Sequence, residues 1–394
     1  MKVALFNPIF AVMAVGGRLG EIVVLPLWLS AYPKLNNSET EIAVDGYFCL
    51  TFSSFAFVVI SGVWTLALVI ISSFRSGSEK MISSTDYTFP QGRLFWIGFC
   101  DALNGLIVIF AGSPERTNVS LQGKLGNSMI PLTIILRFLV LKKKPNVLQF
   151  VAAVGVFLAI FFCLIPSFAS MDPPQACDGS NVTNEKNNST AGGSESLAGR
   201  ILWPLCFVLG LVPAALMNVL EERSLQGRHR RSQINLIFLL FCTSCYQLLT
   251  SLALFWADII PGFGMSDDIK TFGENYYFGL SCFFGGDNCG PTTGGRGTLF
   301  IFFYVVSYLG DGLLLRYSDG ATFLAIVAAM STPVGFLFWT LFQQPPCPFA
   351  FHPSTNKSTW FSLGGIAVMI PCIFLYNVQM PKKSPKTDQL LGEA

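Results

Sequence analysis

Hydrophobic residues fall in long apolar runs, each long enough for the ~20 residues that carry an α-helix across a bilayer, with polar segments between them. The pattern predicts ten spans: Pro8–Leu29, Tyr47–Ser72, Leu94–Gly112, Thr117–Val140, Val147–Pro166, Ile201–Leu220, Ile234–Trp256, Leu299–Tyr317, Ala321–Phe342 and Trp360–Tyr376. Arg18 and Glu21 interrupt the first, and their i, i+3 spacing permits a self-neutralising pair. The opening residues lack a transit-peptide pattern and read as a signal anchor that stays. The predicted organisation is a first five-helix half over 1–166, a polar linker over 167–199, a second half over 200–377 with a loop at 258–297, and a tail over 378–394.

Polar residues inside the spans are the candidate chemistry. Asp101 and Asn104 share a face of the third span, and Gln122, Lys124, Asn127 and Pro131 lie in the fourth. Measured from the turn between them, Asp101 and Lys124 lie at a similar depth, ~14–18 Å in. Charges there are costly, so they should face a partner or a wet cavity. Pro131 is expected to free the carbonyl of Asn127. Asp311, followed by Ser331, Thr332 and Pro333, repeats the order of an Asp-bearing helix before a proline-broken one. Asp101 and Asp311 are therefore expected to face a shared cavity, with Asn104, Gln122, Asn127, Ser331 and Thr332 nearby. Lys124 either pairs with Asp101 or contacts a solute.

Loop chemistry orients the spans. Basic clusters follow spans four, six and ten (Lys142–Lys144, Arg223–Arg231, Lys382–Lys386), which puts them together on the cytosolic side. Glycosylation sequons at Asn36, Asn181, Asn187, Asn188 and Asn356 all fall on the other side. Cys282 and Cys289 fall there too, where a disulfide persists. Both termini are then cytosolic, and an odd number of spans per half makes any repeat an inverted one.

Composition narrows the class. Hydrophobic residues make up 52% and charged residues 12%, with a formal net charge of +2, so a nucleic-acid partner has no support. The two histidines, His229 and His352, lie in predicted loops, so no metal site or cofactor is expected. Cys242 and Cys245 form a CxxC spacing inside a predicted span and read as packing residues. There is no Gly-x-Ser-x-Gly, His-Glu-x-x-His or phosphate-binding loop, and the chain does not read as an enzyme.

Asp101-Ala102, Arg116-Thr117 with Gln122, Ile130-Pro131, Asn288-Cys289-Gly290 and Gly310-Asp311, in this order across ten spans, carry a resemblance. The chain resembles the chloroquine-resistance-transporter-like family of the drug/metabolite transporter superfamily. Where the family's malaria-parasite member has a second cysteine pair after the Asn-Cys-Gly segment, this chain reads Pro291-Thr292-Thr293-Gly294-Gly295-Arg296. The resemblance implies an all-α, ten-helix 5+5 inverted repeat around a central cavity. It also implies alternating access in a lysosome-like or vacuolar membrane. Members move amino acids, small peptides and cationic drugs, and plant members are linked to glutathione and related thiols. The expected function is secondary, proton-coupled export of small polar or cationic solutes by a monomer in the bilayer. Asp311 is the expected proton-responsive residue, because Lys124 would hold Asp101 charged. A thiol transporter of the same fold, or a receptor or scaffold, are the alternatives.

Overall fold

The computed structural model describes residues 2–32, 35–37, 40–42, 46–74, 82, 84–112, 116–117, 122, 125–143, 147–168, 197–226, 234–286, 289–318, 320–343, 349–353 and 357–378. Lys124, Asn181, Asn187, Asn188 and Asn356 lie outside these residues. Apart from one short hairpin, β1 (Leu35–Asn37) with β2 (Thr40–Ile42), the regular structure is helical. Asn36 sits in β1, paired with Glu41.

The helices follow the apolar runs. They are α1 (Lys2–Leu29), α2 (Gly46–Phe74), α3 (Ser84–Tyr87), α4 (Gln91–Ala111), α5 (Met129–Leu141), α6 (Val147–Phe168), α7 (Leu197–Leu225), α8 (Leu236–Ala253), α9 (Ile269–Phe283), α10 (Thr293–Tyr317), α11 (Ala321–Ala328), α12 (Ser331–Leu341) and α13 (Lys357–Val378). Among the described residues seven segments are long and apolar enough to cross a membrane: those within α1, α2, α4, α7, α8 and α10, and the α11–α12 pair. Three shorter apolar helices, Met129–Leu141, Phe150–Ala159 and Thr359–Leu375, overlap the expected fourth, fifth and tenth spans, but α5 begins at Met129 and not at the expected Thr117.

Around a buried apolar core, many large apolar side chains are exposed and many polar ones are buried. Val12, Val63, Phe74, Leu158, Leu249 and Phe374 are exposed, while Ser54, Thr133, Asn218, Glu222 and Ser251 are buried. Apolar side chains can face lipid at no cost, whereas polar groups need partners inside the protein.

Two expected boundaries shift for physical reasons. The sixth span was expected to end at Leu220, but α7 runs on to Leu225 because Glu221 and Glu222 are buried rather than solvated. The ninth is split: α11 ends at Ala328 and α12 begins at Ser331. Pro333 is the third residue of α12, and Pro131 is the third of α5. A helix's first N–H groups have no intrahelical acceptor, so a proline there forfeits no bond. The carbonyl of Asn127 is not freed, because it accepts from the Ile130 N–H at 3.2 Å.

Helix pairing builds the rest. α1 packs along α10, and α4 along α7. α5 packs on α7, and α12 on α1. α2 meets α8, α6 meets α13, and α5 meets α11. Small residues permit the closest approach. A Cβ on Gly17 would lie 2.5 Å from the Ser307 backbone nitrogen, and one on Gly310 would lie 2.5 Å from that of Ala14. This is the small-residue contact by which membrane helices bring their backbones together.

Candidate functional site

A cavity of about 490 Å³ lies among α1, α7, α11, α12 and the segment 122–130. That is the size range of small-molecule sites. Apolar wall comes from Ile22, Phe207, Leu211, Leu324, Phe336 and Trp339. Polar groups come from Arg18, Gln122, Asn127, Asn218, Ser331 and Thr332. Both helix interruptions, at 127–128 and 329–330, fall on its wall or beside it. A proline, Pro131 or Pro333, follows each break within one turn and cannot donate to the carbonyl four residues before it.

A cluster of charged residues lies one helical turn beyond Asn218 and Leu324 of the cavity wall. Glu222 is fully buried and gathers donors from α5, from Lys143 just beyond it, and from α11. The Arg137 Nη2 donates to it at 3.0 Å, and the Arg137 Nε lies at 3.0 Å from its second oxygen. The Lys143 Nζ donates at 2.7 Å and the Ala321 backbone N–H at 2.8 Å. The last is an N-terminal N–H of α11, aimed at an anion as helix N-termini are. Gly320 allows this approach. Its φ of +80° suits glycine, and a Cβ there would lie 2.2 Å from the Glu222 carboxyl carbon. Gln226 extends the cluster by donating to the Leu315 and Ser318 carbonyls at 2.5 and 3.0 Å. Asn218 and Leu324, at the inner end of the cavity, lie one helical turn from Glu222 and Gly320.

Asp101 and Asp311 are held by other partners. Both oxygens of Asp101 accept from the Tyr308 hydroxyl at 2.9 Å. Tyr304 packs on Tyr308 with ring centroids 4.7 Å apart, and its hydroxyl accepts from the Gln247 Nε2 at 3.1 Å. This polar row joins α4, α8 and α10. Asp311 accepts from the Arg18 Nη2 at 2.5 Å. Arg18 therefore pairs across to α10, not with Glu21 one turn away, and one Glu21 oxygen is buried without a partner. Arg18 lines the cavity and Asp311 meets it through Arg18, while Asp101, Asn104 and Asp311 are not among the lining residues.

Gln122, Asn127, Ser331 and Thr332 do line the cavity. Gln122 donates to the Gly112 and Thr117 carbonyls at 2.6 and 2.8 Å, which fixes it at the mouth of the α4–α5 turn. Asn104 donates to the Gly210 carbonyl at 2.9 Å and ties α4 to α7. Cys282 and Cys289 are disulfide-bonded, with their Cα atoms 5.2 Å apart. Arg116 closes that end of the molecule. It donates to the Gly264 carbonyl at 2.9 Å and lies 4.2 Å from the Trp203 ring centroid. Among the described residues no three His, Cys, Asp or Glu side chains gather as a metal site.

Sequence reasoning passed over Glu222, Arg137 and Asn218. A signal existed for the first two: a lone arginine inside the fourth apolar run and an acid pair closing the sixth are complementary charges at one membrane face. Asn218 offered none, because an asparagine near a helix end reads as solvated until its neighbours are known.

Three known proteins are similar in sequence to this chain. Crt homolog 1 of Dictyostelium discoideum is 24% identical over 222 residues, which is 56% of this chain and 39% of that protein. Crt homolog 3 of the same organism is 27% identical over 168 residues, 42% of this chain and 29% of that protein. Crt homolog 2 is 22% identical over 367 residues, 86% of this chain and 67% of that protein. The chain thus spans well under half the length of Crt homolog 1 and Crt homolog 3. The family profile described as chloroquine-resistance transporter-like matches residues 35–345, and the chain is a membrane-spanning member of that CRT-like family.

Proposed function

We propose that the protein is a secondary active transporter that moves small polar solutes by alternating access through the cavity between its two halves. The observation that carries this reading is the cavity itself. It is bounded by interrupted helices from both parts of the chain, and the Glu222 cluster lies one helical turn beyond one end. Such a cluster can serve as the seal that alternating access needs: a closed end made of polar contacts that can separate and re-form.

The ten-helix 5+5 inverted repeat belongs to this proposal, with halves over 1–166 and 200–377. Exchanging α1 with α7, α2 with α8, α4 with α10, α5 with α11–α12 and α6 with α13 matches most of the main pairings to one another, the α12–α13 contact excepted. The α1–α10 contact exchanges with α7–α4, and α5–α7 with α12–α1. The contacts α2–α8, α6–α13 and α5–α11 map onto themselves. On the positive-inside pattern, the sealed end with Lys142, Lys143 and Arg223 is cytosolic and the disulfide end lumenal. The solute then leaves the lumen of an acidic, lysosome-like or vacuolar compartment. Asp311 couples protons to the movement through its bond to Arg18.

Counterflow in proteoliposomes tests the reading. Purified protein should exchange radiolabelled amino acids, dipeptides or glutathione from a mixed pool, faster with an acidic interior. Asp311→Asn should flatten that pH dependence. Absence of counterflow for the whole pool, from correctly folded protein, would overturn the transport assignment.

A further inference from the structure

The inner end of the cavity carries a side chain with unused hydrogen-bonding capacity. Asn218 is 1% exposed and lines the cavity, and neither its amide nitrogen nor its amide oxygen has a partner. A buried, unsatisfied carboxamide is costly in a folded protein and calls for an explanation. Its position supplies one. Asn218 lies on α7 one turn above Glu222, on the same wall as Phe207 and Leu211. Across the cavity Arg18 is held by Asp311 through one terminal nitrogen, while its buried Nε has no partner. Arg18 is also the one charged side chain among the described residues that line the cavity.

We propose that Asn218, with Arg18, is the recognition point for a solute end that sets a hydrogen-bond donor beside an acceptor, as an amide or an amino-acid zwitterion does. A carboxamide offers one acceptor oxygen and two donor hydrogens on one planar group. An amide can meet both at once. A zwitterion can place its ammonium on the Asn218 oxygen and its carboxylate on the Asn218 and Arg18 N–H groups, the second contact being charge-assisted. Phe207, Leu211, Phe336 and Trp339 accommodate the apolar remainder. A simple cation finds no carboxylate on this wall and leaves the Asn218 N–H groups unsatisfied. Selection therefore falls on the polar end of the solute, not on positive charge. The transport part of this inference rests on the function proposed above; the binding part does not.

Full-length protein, Asn218→Leu and Asn218→Ser are purified and compared with three probes: glutamine, glycylglycine and tetraethylammonium. Binding is read as a thermal shift in detergent, and transport as counterflow in liposomes. Wild type should be stabilised by glutamine or glycylglycine and not by tetraethylammonium. Asn218→Leu should weaken that binding at least tenfold while keeping the ligand-free melting temperature at or above that of wild type, because an unsatisfied amide has been removed. Asn218→Ser, which removes bulk and cannot clash, provides the same comparison if the leucine variant does not fold. Unchanged binding of all three probes in both variants overturns the site, as does preferential binding of tetraethylammonium by wild type. Asn218-dependent binding without counterflow upholds the site and overturns transport of these solutes. Counterflow that is indifferent to Asn218 does the reverse, and no binding with no counterflow overturns both.

Discussion

The Glu222 cluster permits a prediction whose size follows from burial. The side chain of Glu222 is 0% exposed, that of Arg137 is 8% and that of Lys143 is 46%. Removing one partner of a buried pair leaves an uncompensated charge and costs about 3–5 kcal/mol. Removing a half-exposed partner costs about 0–1 kcal/mol, because water and salt replace it. Arg137→Met should therefore destabilise strongly and Lys143→Met hardly at all, although Lys143 makes the shorter contact at 2.7 Å. Glu222→Leu should be at least as damaging as Arg137→Met, since it removes the carboxylate that accepts from Arg137, Lys143 and the Ala321 N–H together. Unfolding in detergent can be followed with a thiol-reactive dye, because the Cys100 thiol is outside any disulfide and buried in the native state. The ordering should persist at high salt for Arg137 and vanish for Lys143. Equal losses for Arg137→Met and Lys143→Met would refute the assignment of the seal to a buried pair. So would a Glu222→Leu protein with wild-type stability.

Three shorter predictions concern single contacts. Gly320→Ala should lose about 1–3 kcal/mol from its backbone conformation alone. The Cβ clash with Glu222 should add to that loss, so a melting curve matching wild type would contradict the described turn. Tyr308→Phe removes the hydroxyl that donates to both oxygens of Asp101 and should cost about 1.5–3 kcal/mol, as for a hydrogen bond to a charged group. Asp101→Asn keeps an acceptor for that hydroxyl and should cost less; thermal unfolding that ranks the two the other way rejects the contact. Mass spectrometry of unreduced peptides should recover Cys282 and Cys289 joined, and two free thiols there would be incompatible with the loop as described.

Asp101 and Arg18 illustrate how a residue's environment separates from its position. Each was visible as a charge in an apolar run, and the prohibitive cost of such a charge facing lipid predicted a partner inside the protein. Which partner was not legible. Arg18 and Glu21 are neighbours along α1, yet Arg18 pairs with Asp311, 293 residues away, because the glycines at 17 and 310 bring α1 and α10 into close contact. Asp101 is taken by Tyr308, a residue that reads as one more aromatic in an aromatic-rich helix.

The sequence by itself determined where the membrane helices lie, because runs of apolar residues have no other stable arrangement in lipid than hydrogen-bonded helices. It also placed Pro131 and Pro333 in the fourth and ninth spans, but not the breaks beside them, since Pro26, Pro204, Pro213 and Pro371 sit inside unbroken helices. Gln122, Asn127, Ser331 and Thr332 could be picked out as cavity residues because they share those two spans with the prolines. The tertiary structure alone decided what faces what. Helix rotation about its own axis is set by packing against neighbours and not by composition, and a rotation of about 100° per residue separates a cavity wall from a buried pair. Thus Asp101 and Asp311 turned towards protein partners, Asn218 turned into the cavity, and Glu222 became the meeting point of three helices distant in sequence.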